Sequence, residues 1–250
     1  MHKARSLVAV TLTGAALAAG MTLAKPASAD TVVCSKFGNT RNAAGYIVQN
    51  NVWGTDAAQC VNVTSTGFRI TTFDASKPTN GAPASYPSML WGCHYNSCTN
   101  GFDPVRTSSS AFSSIRTRVD YTFTNRGAWN ASYDLWFDPT PRRDGQNTGA
   151  ELMIWLNRQG GVQPIGRRVA TATVAGATWD VWFGNIGWNV ISYVRTTPST
   201  TLDTTVDAFY GDVVSRGYGE RSWYLTSIQA GFEPWRDGTG LAVNDFSVTS

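Results

Sequence analysis

The chain has 250 residues, 20 Lys and Arg against 17 Asp and Glu, and 42% hydrophobic residues. Lys3, Arg5 and Lys25 fall in an N-terminal stretch with the pattern of a removable leader, so the remainder balances at 17 charges of each sign. A neutral chain excludes the basic field that nucleic acid or anionic lipid would need and points to an uncharged partner.

The first element in chain order is that leader. His2, Lys3 and Arg5 form a basic head, Leu7 to Leu23 is an apolar run, and Ala27-Ser28-Ala29 has the small residues of a cleavage site. The expectation is a signal peptide over 1–29, a mature start at Asp30, a secreted product and no membrane association after removal. Residues 30–250 are enough for one domain with its own core, and no repeat or linker divides them. Cys34, Cys60, Cys93 and Cys98 are even in number in an exported chain, so two disulfides are expected. Of three connectivities, pairing of sequence neighbours gives Cys34–Cys60 and Cys93–Cys98. The rival zinc site lacks paired C-x2-C spacing, so no metal and no cofactor is expected.

Tyr46–Trp53, Gly67–Phe73 and Ser114–Phe123 alternate apolar and polar residues or are β-branched, which predicts strands. Ala131–Phe137, Glu151–Asn157, Thr178–Phe183, Val190–Arg195, Tyr224–Phe232 and Leu241–Val248 follow in the same manner. Many short strands between Gly, Asn, Pro, Ser and Thr turns predict an all-β sandwich or jelly roll. One stretch differs. From Asp203 to Arg216, apolar residues recur at helical spacing, with Asp203 or Thr204 as cap and Gly217 as stop, so one short packed helix is expected.

Glutamate is normally common, yet the chain has only Glu151, Glu220 and Glu233. Glu220 lies in a glycine-rich turn, whereas the other two interrupt apolar strand sequence. With a period of two, Glu151, Met153, Trp155 and Asn157 share one strand face, and Leu152, Ile154 and Leu156 share the other. Gln229 and Glu233 likewise oppose Ile228, Ala230 and Phe232. Two readings stay open from parity alone: a solvated edge glutamate, or a carboxylate lining a cleft. The chain's 10 Trp, 9 Tyr and 11 Phe suit stacking on apolar sugar faces, but aromatics also fill sandwich cores. His94 is the only histidine outside the leader, and no Gly-x-Ser-x-Gly elbow or phosphate loop is present. Two carboxylates are the chemistry left.

At Glu151-Leu152-Met153-Ile154-Trp155 and Gly231-Phe232-Glu233-Pro234-Trp235 the sequence resembles glycoside hydrolase family 12, mostly endo-β-1,4-glucanases. Asn50-Asn51-Val52-Trp53-Gly54, Gly92-Cys93-His94-Tyr95, Tyr133-Asp134-Leu135-Trp136, Gln163-Pro164-Ile165-Gly166 and Trp223-Tyr224-Leu225-Thr226-Ser227 extend the likeness across the chain in family order. The resemblance implies a jelly roll of two curved antiparallel sheets with a concave substrate groove. It implies Glu151 as nucleophile, Glu233 as general acid/base and Asp134 as the carboxyl beside the nucleophile. Asn51, Trp53, His94 and Met153 match positions that contact sugar or line the site, and Pro164 lies in the loop that crosses the cleft. The family's usual disulfides agree with the pairing above. Relatives often carry Gly-x-Asn-Gly after the strand near Trp182, whereas this chain has Gly184-Asn185-Ile186-Gly187, which makes Asn185 the candidate for that sugar contact.

The implied reaction is retaining hydrolysis of internal β-1,4 bonds of glucans such as cellulose and mixed-linkage β-glucan, with carboxyls about 5–5.5 Å apart. Two negative charges at such a distance repel by about 3 kcal/mol at an effective dielectric near 20, so one carboxyl stays protonated. The partner is then a β-glucan polysaccharide and the enzyme a monomer. The alternatives are a xyloglucan-specific endoglucanase, a xylanase and a non-catalytic carbohydrate-binding module.

Overall fold

The computed structural model describes residues 31–250; the expected signal peptide and Asp30 lie outside the described residues. In chain order the elements are β1 (Thr31–Val33), β2 (Asn39–Arg41), β3 (Ile47–Gln49), β4 (Gln59–Val63), β5 (Phe68–Phe73), β6 (Ser88–His94), β7 (Ser97–Cys98) and β8 (Val105–Arg106). Then follow α1 (Ser110–Ser114), β9 (Arg116–Thr122), β10 (Ala128–Asp138), β11 (Ala150–Gln159), β12 (Arg167–Val174) and β13 (Ala177–Asn185). The chain ends with β14 (Asn189–Arg195), β15 (Thr201–Thr205), α2 (Val206–Ser215), β16 (Tyr224–Arg236) and β17 (Ala242–Thr249). Among the described residues no helix is long and apolar enough to cross a membrane.

The strands form the two expected sheets of a jelly roll. The smaller has the order β1-β4-β5-β17-β9-β15, and the larger β12-β13-β14-β11-β10-β16-β6-β3-β2. Neighbours pair antiparallel except β11 and β14, which run parallel. The parity reading decides which face is core. Leu152, Ile154, Leu156, Ile228, Ala230 and Phe232 all point inward and pack with Val61, Ile70, Val119 and Phe246 of the smaller sheet. Each such side chain contributes roughly 1.5–3 kcal/mol by leaving water. The same alternation turns Glu151, Met153, Trp155, Gln229 and Glu233 to the outer face of the larger sheet.

Both disulfides are present as paired from sequence, Cys34–Cys60 and Cys93–Cys98. The second closes the β6–β7 hairpin, where Cys93 is directly opposite Cys98. The helix differs from expectation at its start. Asp203 and Thr204 belong to β15, opposite Arg118 and Thr117 of β9, because a threonine-rich run finds an edge to pair with. The cap is Thr205, and Gly217 with φ +77° ends the last turn. Phe209, Tyr210 and Val213 are buried, and Tyr210 stacks on Phe137 with centroids 3.9 Å apart. A second, shorter helix, α1, was not expected; Ser109 caps it by accepting from Phe112 N at 3.2 Å.

One connection shapes the outer face. β11, β14 and β12 all run in the same direction, so the chain must return from the end of β11 to the start of β12. It does so across the concave face, where Val162 packs with Trp155, Met153 and Trp235. Gly166 (φ +85°) closes the crossing: a Cβ there would sit 2.0 Å from Phe183 O, so only glycine fits.

Candidate active site

The register of three adjacent strands places the carboxyls. On β10, Trp136 is opposite Glu151 of β11, Asp134 lies between Met153 of β11 and Gln229 of β16, and Asn130 is opposite Glu233. Glu151 therefore rises near the start of β11, Glu233 near the end of β16, and Asp134 from the floor between those levels. All three line a groove of about 1350 Å³. One wall holds Tyr95, Gln146, Ile186 and Trp188. The other holds Trp53, the 79–83 loop and Trp235, with Pro164 and Ile165 on the crossing segment.

Each carboxyl has a side-chain donor. Trp188 Nε1 donates to Glu151 Oε2 at 2.8 Å, Trp136 Nε1 donates to Asp134 Oδ2 at 2.8 Å, and Asn130 Nδ2 donates to Glu233 Oε2. Asn130 is itself aimed, since its Oδ1 accepts from Ser132 Oγ at 3.0 Å. Asp134 Oδ1 is buried and unpartnered. No lysine or arginine stands among the described residues that line the groove, so three acids share a site without a cation.

Charge is correspondingly hard to place. Burial raises Glu151 from its ordinary 4.5 to about 7 against the Trp188 bond. Burial raises Glu233 to about 8, opposed by Asn130 and reinforced by the charge of Glu151. Asp134 goes well above its ordinary range through burial first and the charge of Glu151 second, against the Trp136 bond. His94 is lowered to about 4 by burial, so its ring is neutral. The charge of Glu151 is among the causes that raise Glu233, so an ionised Glu151 holds the proton on Glu233 more firmly.

Residues 44–250 match the model of glycosyl hydrolase family 12. The chain belongs to that family. It is 43% identical over 136 residues to the probable cellulase Cel12b of Mycobacterium tuberculosis, covering 54% of this chain and 89% of that protein. It is 31% identical to the xyloglucan-specific endo-beta-1,4-glucanase A of Emericella nidulans, covering 92% and 97%. The solved endo-1,4-beta-glucanase CelB2 superposes with a TM-score of 0.85 at 51% identity, covering 88% of this chain and 99% of that one.

Within this family 12 chain, most residues singled out from sequence converge on the groove. Asn51, Trp53, His94, Met153 and Pro164 all line it with the three acids. Trp53 is 45% exposed, an open apolar plate at the rim. Asn185 is the exception. Its Nδ2 donates to Asn189 Oδ1 at 3.0 Å, and its Oδ1 accepts from Gly187 N at 3.2 Å. The amide thus braces the β13–β14 turn, and its neighbour Ile186 lines the groove. Trp188, Asn130 and Trp136 were missed as partners of the acids. The Trp188 and Asn130 bonds join positions 37 and 103 residues apart, which no local pattern marks; Trp136 is two residues from Asp134 on the same strand face, within reach of strand parity.

Proposed function

We propose that this family 12 glycoside hydrolase is a secreted, monomeric endo-β-1,4-glucanase that cleaves cellulose or mixed-linkage β-glucan with retention of configuration. Glu151 attacks the anomeric carbon while Glu233 gives its proton to the departing sugar oxygen. Once Glu151 is esterified its charge is gone, so Glu233 becomes more acidic and takes a proton from the incoming water. Asp134 is the neutral acid between them: its unpartnered Oδ1 is the oxygen that would hold a proton, because a bare buried anion there would be costly. The observation carrying this reading is the pair of groove glutamates whose pKa burial raises from the ordinary 4.5 to about 7 and about 8. Uncharged polysaccharide suits a groove with open rings at its rim and no cation on its walls.

The test is hydrolysis by Glu151→Gln and Glu233→Gln, each expected to lose about three orders of magnitude or more while folded. Proton NMR of wild-type product should show the β-anomer first; early α-anomer would mean inversion. A second reading, a xyloglucan-specific enzyme, draws support from the likeness to the Emericella nidulans enzyme. Rates on barley β-glucan, carboxymethylcellulose, xyloglucan and xylan decide between the two.

A further inference from the structure

The acids of this groove are neighbours, and each has one side-chain donor of its own. The titratable groups that line the groove with Glu151 are Asp134 from β10, Glu233 from β16, His94 from β6, and Tyr86 and Tyr95 on either side of β6. None is a cation at neutral pH: His94 is neutral, and burial pushes Tyr86 well above its ordinary range. A negative charge on Glu151 is held locally by the hydrogen bond it accepts from Trp188.

The source of that bond is unusual in two ways. Trp188 lies in the turn just before β14, outside the ladder, and its ring is half-buried, so it is not a core residue. Its ring rests against Trp136 with centroids 5.6 Å apart at 53°. Trp136 in turn donates to Asp134, so two touching indoles serve two neighbouring carboxyls. An indole N–H donates and cannot accept. A donor of this kind favours the ionised carboxylate and never competes for its proton. It also distinguishes the two oxygens of Glu151: Oε2 is held, leaving Oε1 free to attack.

We propose that Trp188, braced by Trp136, is a positioning residue that holds Glu151 ionised and turned so that Oε1 faces the anomeric carbon. This rests on the assignment of Glu151 as nucleophile and adds the group that prepares it. In the first step the bond from C1 to the leaving oxygen breaks, that oxygen takes the proton of Glu233, and C1 bonds to Oε1. Oε2 becomes the ester carbonyl and keeps accepting from the indole, so the ester carbonyl stays fixed while water attacks C1. Water then gives a proton to Glu233, the C1–Oε1 bond breaks, and the charge returns to Glu151 beside its donor.

The chain has three glutamates, Glu151, Glu220 and Glu233, so protein labelled with ¹³C at the glutamate carboxyl gives three carbon signals to titrate. Wild type, Trp188→Phe and Trp136→Phe are compared, with Glu151→Gln assigning its signal and circular dichroism checking the fold. Trp188→Phe keeps a ring against Trp136 but removes the donor. Its Glu151 midpoint and the acidic limb of kcat/KM should both rise by about one pH unit, a tenfold change in ionisation. At the plateau kcat should fall roughly tenfold with KM little changed, the pattern for loss of an interaction serving the transition state. Trp136→Phe should move the Glu151 midpoint less. An unmoved midpoint in Trp188→Phe overturns the proposal, and so does an equal shift in both variants, which would mean that the effect does not belong to the Trp188 donor. Trapping with a 2-deoxy-2-fluoro-β-cellobioside bearing a dinitrophenolate leaving group separates the two levels. A label on Glu151 with an unmoved midpoint removes only the role of Trp188; a label elsewhere removes the nucleophile assignment.

Discussion

Lowering the pH from 7.5 to 5.5 is expected to remove nearly all activity, because both essential carboxyls titrate close to neutrality. Activity requires Glu151 ionised and Glu233 protonated. The first condition fails as pH falls through about 7, and the second fails as pH rises through about 8. The productive form therefore peaks near pH 7.5 at roughly 60% of the enzyme and drops to roughly 3% at pH 5.5. Because the glutamates interact, the two midpoints belong to the pair. The assay is kcat/KM on a soluble cello-oligosaccharide from pH 4.5 to 9.5 at constant ionic strength, with fold followed by circular dichroism. A bell with limbs at these positions supports burial as the agent that sets the charges. An acidic limb centred near 4.5, the ordinary value for glutamate, would refute that reasoning, since the groove would then impose no penalty on the charge.

The same raised pKa makes a statement about stability. A carboxyl raised in the fold stabilises it below the unfolded value of 4.5 and loses that contribution as pH rises through about 8. Glu233→Gln should thus raise Tm relative to wild type at pH 8.5, and the gain should vanish near pH 4. Asp138 is the opposite case. Burial pushes it up, but bonds from Thr140, Arg142 and Thr148 outweigh this and hold it below its ordinary value. Asp138→Asn sets an amide against Arg142 Nε and Thr148 N, both donors to Oδ2. The cost should be about 3 kcal/mol, a Tm drop of roughly 6–12 °C for a domain of this size, shrinking as acid protonates the wild-type carboxylate. Trp53→Ala should raise KM on glucan by roughly tenfold through lost stacking, with Tm nearly unchanged because the ring is 45% exposed.

The legible part of this molecule was the part governed by local alternation. Leu152, Ile154 and Leu156 against Glu151, Met153 and Trp155 gave β11, its core face and its groove face from period alone. β6 was missed because Ser-Met-Leu-Trp-Gly-Cys-His is buried on nearly every residue, which leaves no polar alternation to read. β12 was missed for the opposite reason: it is an edge strand and exposed along most of its length. At the helix start, helical periodicity was extended back across Asp203 and Thr204, where pairing with β9 prevailed. Glu151 and Glu233 were found as rare residues in apolar strands, and family motifs supplied their expected roles. The turn bonds of Asn185 were not legible, because a motif match gives the residue type but not the direction of a side chain in a tight turn.

The cation-free groove also bears on how such an enzyme should be assayed. A neutral polymer entering it gives up no counterions, so turnover of mixed-linkage glucan should hardly respond to salt. Carboxymethyl groups are anions. Where one sits near the ionised Glu151 it meets like charge, screened only as the Debye length shortens from about 30 Å at 0.01 M to about 10 Å at 0.1 M. Carboxymethylcellulose should therefore look like a poor substrate in dilute buffer and a better one in saline. A ranking of substrates measured at a single ionic strength would mix sugar preference with electrostatic repulsion.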